Sequence, residues 1–289
     1  MLLGGGIWES FDLIPVDVIN RIKIESISIL ICFSADWVLR REIDKCEKAG
    51  VRYKGIGMRA NTPVGIPRPQ GFCVPYTFLD QGFYECSALT YKMLLSGGAA
   101  SHFDLGDFGN LWQVLLMTRK TQGAICEFGI YKGASALFIL NSLLAIGDGR
   151  EYLGVDTFEG FNYDEARKSP DALWESSHGD TSYESVSHLL SLSKREFGLI
   201  KGNVFSMSPD QLPEFISVAN IDVDLPEAIV AAAELVYPKM TSGGVMIFED
   251  YGHTPELGGA QLAIDKWLKE KGIFRKLYAD SGQMLVFIN

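Results

Sequence analysis

From Gly123 to Ile288 the chain alternates apolar runs of strand length with stretches of helical periodicity, and that alternation is its strongest constraint. It predicts strands at 124–128, 151–155, 198–201, 216–223, 243–248, 273–278 and 283–288. Helices are predicted at 134–145, 182–194, 209–215, 227–237 and 258–271 between them. Alternating strand and helix means a parallel sheet with right-handed crossovers, and Asp280-Ser-Gly282 signals a hairpin that turns the last strand antiparallel. The fold class expected is α/β, a Rossmann-like seven-stranded sheet. The first unit, Gly123 to Ser135, reads strand, glycine turn, helix, a connection that lets backbone approach a ligand at the carboxyl edge of the sheet.

Three regions are expected. Residues 1–60 read as a small α/β accessory or truncated Rossmann-like segment, with strands at 27–33 and 50–56 and a helix at 37–49. Residues 61–84, rich in Pro, Gly and aromatic residues, read as a linker arm that packs on a neighbour. Residues 85–289 form the main domain, led in by a helical stretch broken at Gly97-Gly98 and again near Gly106–Gly109.

A net charge of −10 argues against a nucleic-acid binder. Five scattered cysteines without a C-x-x-C pair suggest neither a disulfide framework nor a zinc site, and fit a reducing cytoplasm. No apolar run approaches the roughly 20 residues that cross a bilayer, and the start lacks the pattern of a signal peptide. A homo-oligomer would cover the aromatic arm.

Acids recur at the predicted strand ends: Glu127, Asp156, Asp222 with Asp224, and Glu249 with Asp250. In this architecture those ends converge on one edge, so distant positions become one site. An acid ending the second strand can take both hydroxyls of a ribose, in dinucleotide and in methyl-donor folds alike. Gly129 and Gly133 stand four apart and do not make G-x-G-x-x-G, which favours an adenosyl-methionine site over a pyrophosphate site. Carboxylates without an accompanying Cys or His cluster are hard ligands, suited to Mg²⁺, Mn²⁺ or Ca²⁺ rather than Zn²⁺.

Glu127-Phe-Gly-Ile-Tyr-Lys-Gly-Ala-Ser135, Val155-Asp-Thr-Phe-Glu-Gly-Phe161, Ile221-Asp-Val-Asp-Leu225, Tyr237-Pro-Lys-Met-Thr-Ser-Gly-Gly244 and Phe248-Glu-Asp-Tyr-Gly252 together resemble the macrocin O-methyltransferase family over residues 85–289. These are class I S-adenosylmethionine-dependent enzymes that methylate sugar hydroxyls on natural products with a divalent metal. The resemblance implies that Glu127, Phe128, Gly129, Gly133 and Ser135 border the methionine part of the donor, with Asp222 close by. Asp156 and Thr157 would hold the ribose. Phe158 would line the adenosine side, and Gly202, Asn203 and Val204 would lie near adenine. Its metal acids fall on Asp222, Glu249 and Asp250. Two departures stand out: Pro226 follows Asp222-Val-Asp-Leu225, and Glu249 occupies a position usually held by aspartate.

The reaction expected is methylation of a small-molecule hydroxyl, on a sugar or secondary metabolite. Such a hydroxyl attacks a sulfonium methyl poorly until its proton leaves, so a base is required. Asp222 is the first candidate and His253 the second. A non-catalytic adenosyl-ligand-binding module is the alternative. A nucleotide-cofactor oxidoreductase is disfavoured by the glycine spacing and by the lack of a clear Tyr-x-x-x-Lys pair. His178 and Asp180 are further candidates for the acceptor rim, and the insert 162–174, with Tyr163, Arg167 and Trp174, for a lid.

Overall fold

A computed structural model describes residues 2–3, 28–33, 52–57, 80–97, 105–169, 177–252, 258–279 and 281–289. Strands β1 (Leu2–Leu3), β2 (Ser28–Phe33) and β3 (Arg52–Gly57) pair in parallel, in that order. β2 and β3 match the two strands expected in the first 60 residues, β1 was not expected, and the helix expected at 37–49 lies outside the described residues. So do residues 61–79 of the expected arm. Its last residues belong to a helix, α1 (Gln81–Ser96), capped by Asp80, whose side chain accepts from the Phe83 N–H at 2.9 Å.

α1 ends before Gly97, as the glycine pair predicts. The second expected break is missing, because α2 (Leu105–Met117) runs straight through Gly106 and Gly109. Packing overrides propensity here: the face of Gly109 lies against the ring of Phe83, 3.8 Å from where a Cβ would stand.

The main sheet follows. Its strands are β4 (Ala124–Phe128), β5 (Tyr152–Asp156), β6 (Gly198–Lys201), β7 (Ile216–Ile221), β8 (Met240–Phe248), β9 (Lys276–Tyr278) and β10 (Met284–Phe287). They lie in the order β6-β5-β4-β7-β8-β10-β9, and β10 alone runs antiparallel to its neighbours. Every residue of β4 and β7 is buried, as expected of central parallel strands covered on both faces. On one face α3 (Ala134–Ala145) lies between sheet and α1–α2. It is apolar nearly all round, and Phe138 stacks on Phe108 with centroids 4.3 Å apart. The other face is covered by α6 (Pro226–Val236) and α7 (Gly258–Glu270).

Between β5 and β6 lie α4 (Asp164–Lys168) and α5 (Tyr183–Ser191). The helix expected at 209–215 shrinks to one 3₁₀ turn, Pro209–Gln211, capped by Ser208. β7 stops at Ile221, two residues earlier than expected, which leaves Asp222 and Asp224 in the loop after it. Among the described residues no helix is long and apolar enough to cross a membrane.

The amino-terminal edge of the sheet is tied by Arg150. Its guanidinium pairs with Asp148 (Nη2 to Oδ2, 2.6 Å) and donates to Thr118 O (3.0 Å), Ser217 Oγ (3.0 Å) and Leu115 O (3.1 Å). One planar group thus joins the end of α2, the loop before β5, and β7.

Candidate functional site

The loop from β4 to α3 turns through three left-handed residues, Gly129 (φ 84°), Tyr131 (φ 50°) and Gly133 (φ 86°). A Cβ on Gly129 would stand 1.6 Å from the carbonyl oxygen of Asp222, so the loop sits directly on the backbone that leaves β7. Asp222 N–H in turn donates to Phe128 O at 2.8 Å. Gly133 begins α3 without a side-chain cap, leaving the first N–H groups of that helix at the carboxyl edge.

Asp156, at the end of β5, faces this loop. Its Oδ2 accepts from Ile130 N–H (2.6 Å) and Tyr131 N–H (2.8 Å), and its Oδ1 from Phe158 N–H (2.6 Å). The carboxylate is therefore a clamp on the glycine loop, with only its remaining lone pairs open to a ligand. Replacing it releases three N–H groups at once. Asp156→Ala is expected to weaken S-adenosylhomocysteine binding about 10–100-fold, because bonds to a charged acceptor contribute about 1.5–3 kcal/mol each. Calorimetric titration checks it, and an unchanged affinity would remove Asp156 from the site.

Glu127 is fully buried. Tyr152 on β5 donates a short hydrogen bond to its Oε2, Asn220 on β7 donates to its Oε1 at 3.0 Å, and Ser135 in the first turn of α3 adds a third bond. Burial pushes the Glu127 carboxyl up from the usual range, and these hydrogen bonds oppose it. Burial and the adjacent Glu127 raise the Tyr152 phenol in the same way. Glu127 thus joins three strands and a helix beneath the loop. Phe128, grouped with it by sequence, turns its ring into the apolar core on the opposite face, so only its backbone reaches the site. Tyr152 and Asn220 were not singled out by sequence, although Asn220 inside Ile216-Ser-Val-Ala-Asn-Ile221 was a visible signal: a polar side chain in a fully buried strand.

The segment after β5 arches over the loop. Thr157 Oγ1 donates to Gly160 O (3.3 Å), and Phe158, held at φ 54°, packs edge-on against Tyr183. Gly202 N–H donates to Asp156 O (2.9 Å), and Asn203 caps the 3₁₀ turn that starts at Val204, so these three residues stand beside Asp156. Tyr163 lies between Phe161 and Phe205 and joins an apolar wall with Leu225 and Ala228. His178 packs edge-on to Tyr131, while Asp180 bonds to the Tyr131 hydroxyl (2.6 Å) and pairs with Lys132. These two residues therefore anchor the segment to the glycine loop. Trp174 lies outside the described residues.

One oxygen each from Asp222, Glu249 and Asp250 lies within 4.8 Å of the others. Adjacent parallel strands bring them together: Ile221 pairs with Phe248, so the residues that follow leave the sheet side by side. Asp250 Oδ2 also accepts from Asp224 N–H (2.8 Å). Burial, then the nearby carboxylates Glu249, Asp250 and Asp224, push Asp222 well above its ordinary value. Burial, Asp224 and Glu249 do the same to Asp250. Converging hard oxygens that repel one another fit a divalent cation. His253, the second candidate base, lies outside the described residues.

The sheet order, the glycine loop at β4 and the acids along the carboxyl edge define an S-adenosylmethionine-dependent methyltransferase of Rossmann-like fold. Residues 110–282 match the family described as macrocin-O-methyltransferase (TylF), and the chain belongs to that family. Among solved structures it is similar to the O-methyltransferase NovP, at 18% identity and a TM-score of 0.60 over 73% of this chain and 98% of that one. It is also similar to CalS11, a calicheamicin methyltransferase, at 18% identity and a TM-score of 0.51 over 78% of this chain and 99% of that one. A search of curated proteins finds no match.

Proposed function

We propose that this protein methylates a hydroxyl of a sugar or other small natural product, with a divalent cation held by Asp222, Glu249 and Asp250. The glycine loop, Asp156 with Thr157 and Phe158, and Gly202 to Val204 make the donor side. The observation that carries this reading is the contact of Gly129 with the Asp222 backbone, which sets the donor loop directly against the acid cluster. Donor and acceptor groups are thereby held within one cleft edge, the condition for in-line transfer.

The chain's own residues do the rest. Asp222, which stands where the glycine loop meets the acid cluster, takes the hydroxyl proton on a carboxylate oxygen. Tyr163 and the arched segment keep water from the donor. A cation at the three carboxylates supplies charge that lowers the acceptor's pKa and fixes its direction. The family name and the calicheamicin methyltransferase support a natural-product acceptor. We assign residues 85–289 to catalysis and residues 1–60 to an accessory unit. Buried free thiols at Cys86 and Cys126, both pushed up to about 12 by burial, support a reducing compartment.

Calorimetric titration with S-adenosylhomocysteine, NAD and Mg²⁺ tests the reading. S-adenosylhomocysteine and Mg²⁺ are expected to bind and NAD is not. Heat with NAD alone would overturn the assignment of donor, and donor binding with no Mg²⁺ uptake would leave an adenosyl-binding site without the cation.

A further inference from the structure

β10 is the neighbour of β8 on the side away from the donor loop, and it carries a residue into the acid row. Phe248 pairs with Ile221 on one side and with Met284 on the other. One position on, Asp222, Glu249 and Gln283 each adjoin the end of their strand, on the same edge of the sheet. Leu285, two residues from Gln283, belongs to the apolar cluster under α1–α3, and Gln283 bonds to Asn110 on α2, so Gln283 faces that side, while Glu249 opens the 3₁₀ turn that ends β8.

Gln283 is fully buried. Its Oε1 accepts from Asn110 Nδ2 (2.6 Å) and from Ser281 Oγ (3.1 Å), and Asn110 Nδ2 also donates to Ser281 Oγ (2.9 Å). In this network the amide turns its oxygen toward Asn110 and Ser281. The other end, Nε2, is buried without a hydrogen-bond partner. Such a group is uncommon in a folded protein and calls for a reason.

We propose that Gln283 is a positioning residue for the cation site, its Nε2 donating to the Glu249 carboxylate when that carboxylate ligates the ion. The inference rests on the cation reading above. Glu249 has one more rotatable bond than Asp222 or Asp250, so it is the ligand that most needs an outside group to hold its orientation. A donor behind a ligating carboxylate fixes its direction, and losing such a donor weakens metal binding about 10–100-fold. Asn110 and Ser281 keep the amide turned the right way. The residue that orients the ligand is thus supplied by the strand inserted last.

Titration with Mn²⁺, read as the electron paramagnetic resonance signal of the free ion, tests this without any turnover. Wild type is expected to bind Mn²⁺, and Gln283→Leu to bind it about 10–100-fold more weakly. Asn110→Ala, which frees the amide to turn, is expected to weaken it less. Both variants should keep S-adenosylhomocysteine affinity within about twofold of wild type, since donor residues are untouched. Should Gln283→Leu fail to fold, Asn110→Ala decides, because it leaves Gln283 in place. Mn²⁺ affinity within about twofold of wild type in the folded variants overturns the inference and leaves the cation site standing. No Mn²⁺ binding by wild type overturns both.

Discussion

Asp222→Asn is expected to lower turnover by about 10²–10⁴-fold while leaving S-adenosylhomocysteine affinity within about threefold of wild type. The substitution keeps the size of the side chain and the backbone carbonyl that Gly129 rests on, so the donor loop is unaffected. What it removes is the proposed proton acceptor and the negative charge of one of three clustered carboxylates. Both losses act on the acceptor hydroxyl. S-adenosylhomocysteine release, measured with a hydroxyl acceptor that wild type methylates, gives the first number and calorimetry the second. A parallel loss of both would mean that Asp222 serves the donor rather than the reaction.

Arg150→Met is expected to destabilise the fold by about 3–5 kcal/mol, the range for leaving one member of a buried ion pair alone. The side chains of Arg150 and Asp148 are 10% and 3% exposed, and the carbonyls of Leu115 and Thr118 lose their donor as well. The effect depends on pH. Burial raises the Asp148 carboxyl, but the hydrogen bonds and charge of Arg150, with Arg195 adding to them, outweigh it and hold the group below its ordinary value. The pair's contribution is therefore complete above the ordinary carboxylate range and is lost as pH falls through the depressed folded-state value. Urea midpoints of the two proteins should differ widely at neutral pH and draw together in acid. A constant gap would show that the guanidinium acts through its carbonyl bonds alone.

The strand and helix order was readable because periodicity and strand-end acids are local signals. Strand ends that must converge put the acids on one edge, the resemblance singled out Asp222, Glu249 and Asp250 among them, and the structure brings the oxygens of these three together. What the sequence did not carry is the direction in which a side chain turns. That Asp156 would also hold three loop N–H groups was not readable. Nor was it readable that Glu127 bonds to Tyr152 and Asn220 within the sheet. Phe128 has its ring on the other face. Such outcomes depend on partners far along the chain, as the persistence of α2 through Gly106 and Gly109 also does. Gln283 lay inside a hairpin noted only for its turn, and its importance appears once β10 is known to pair with β8.

That pairing also bears on how the protein is made. β9 precedes β10 in the chain but lies outside it in the sheet, so β9 has no sheet partner until residues 284–287 have been synthesised and have slipped in beside β8. Domains begin to fold while still on the ribosome. Here the glycine loop, between β4 and α3, is complete in the chain long before the acid row gains its neighbour on the far side. A nascent chain therefore has the loop to hand while the edge beside β8 still waits for β10.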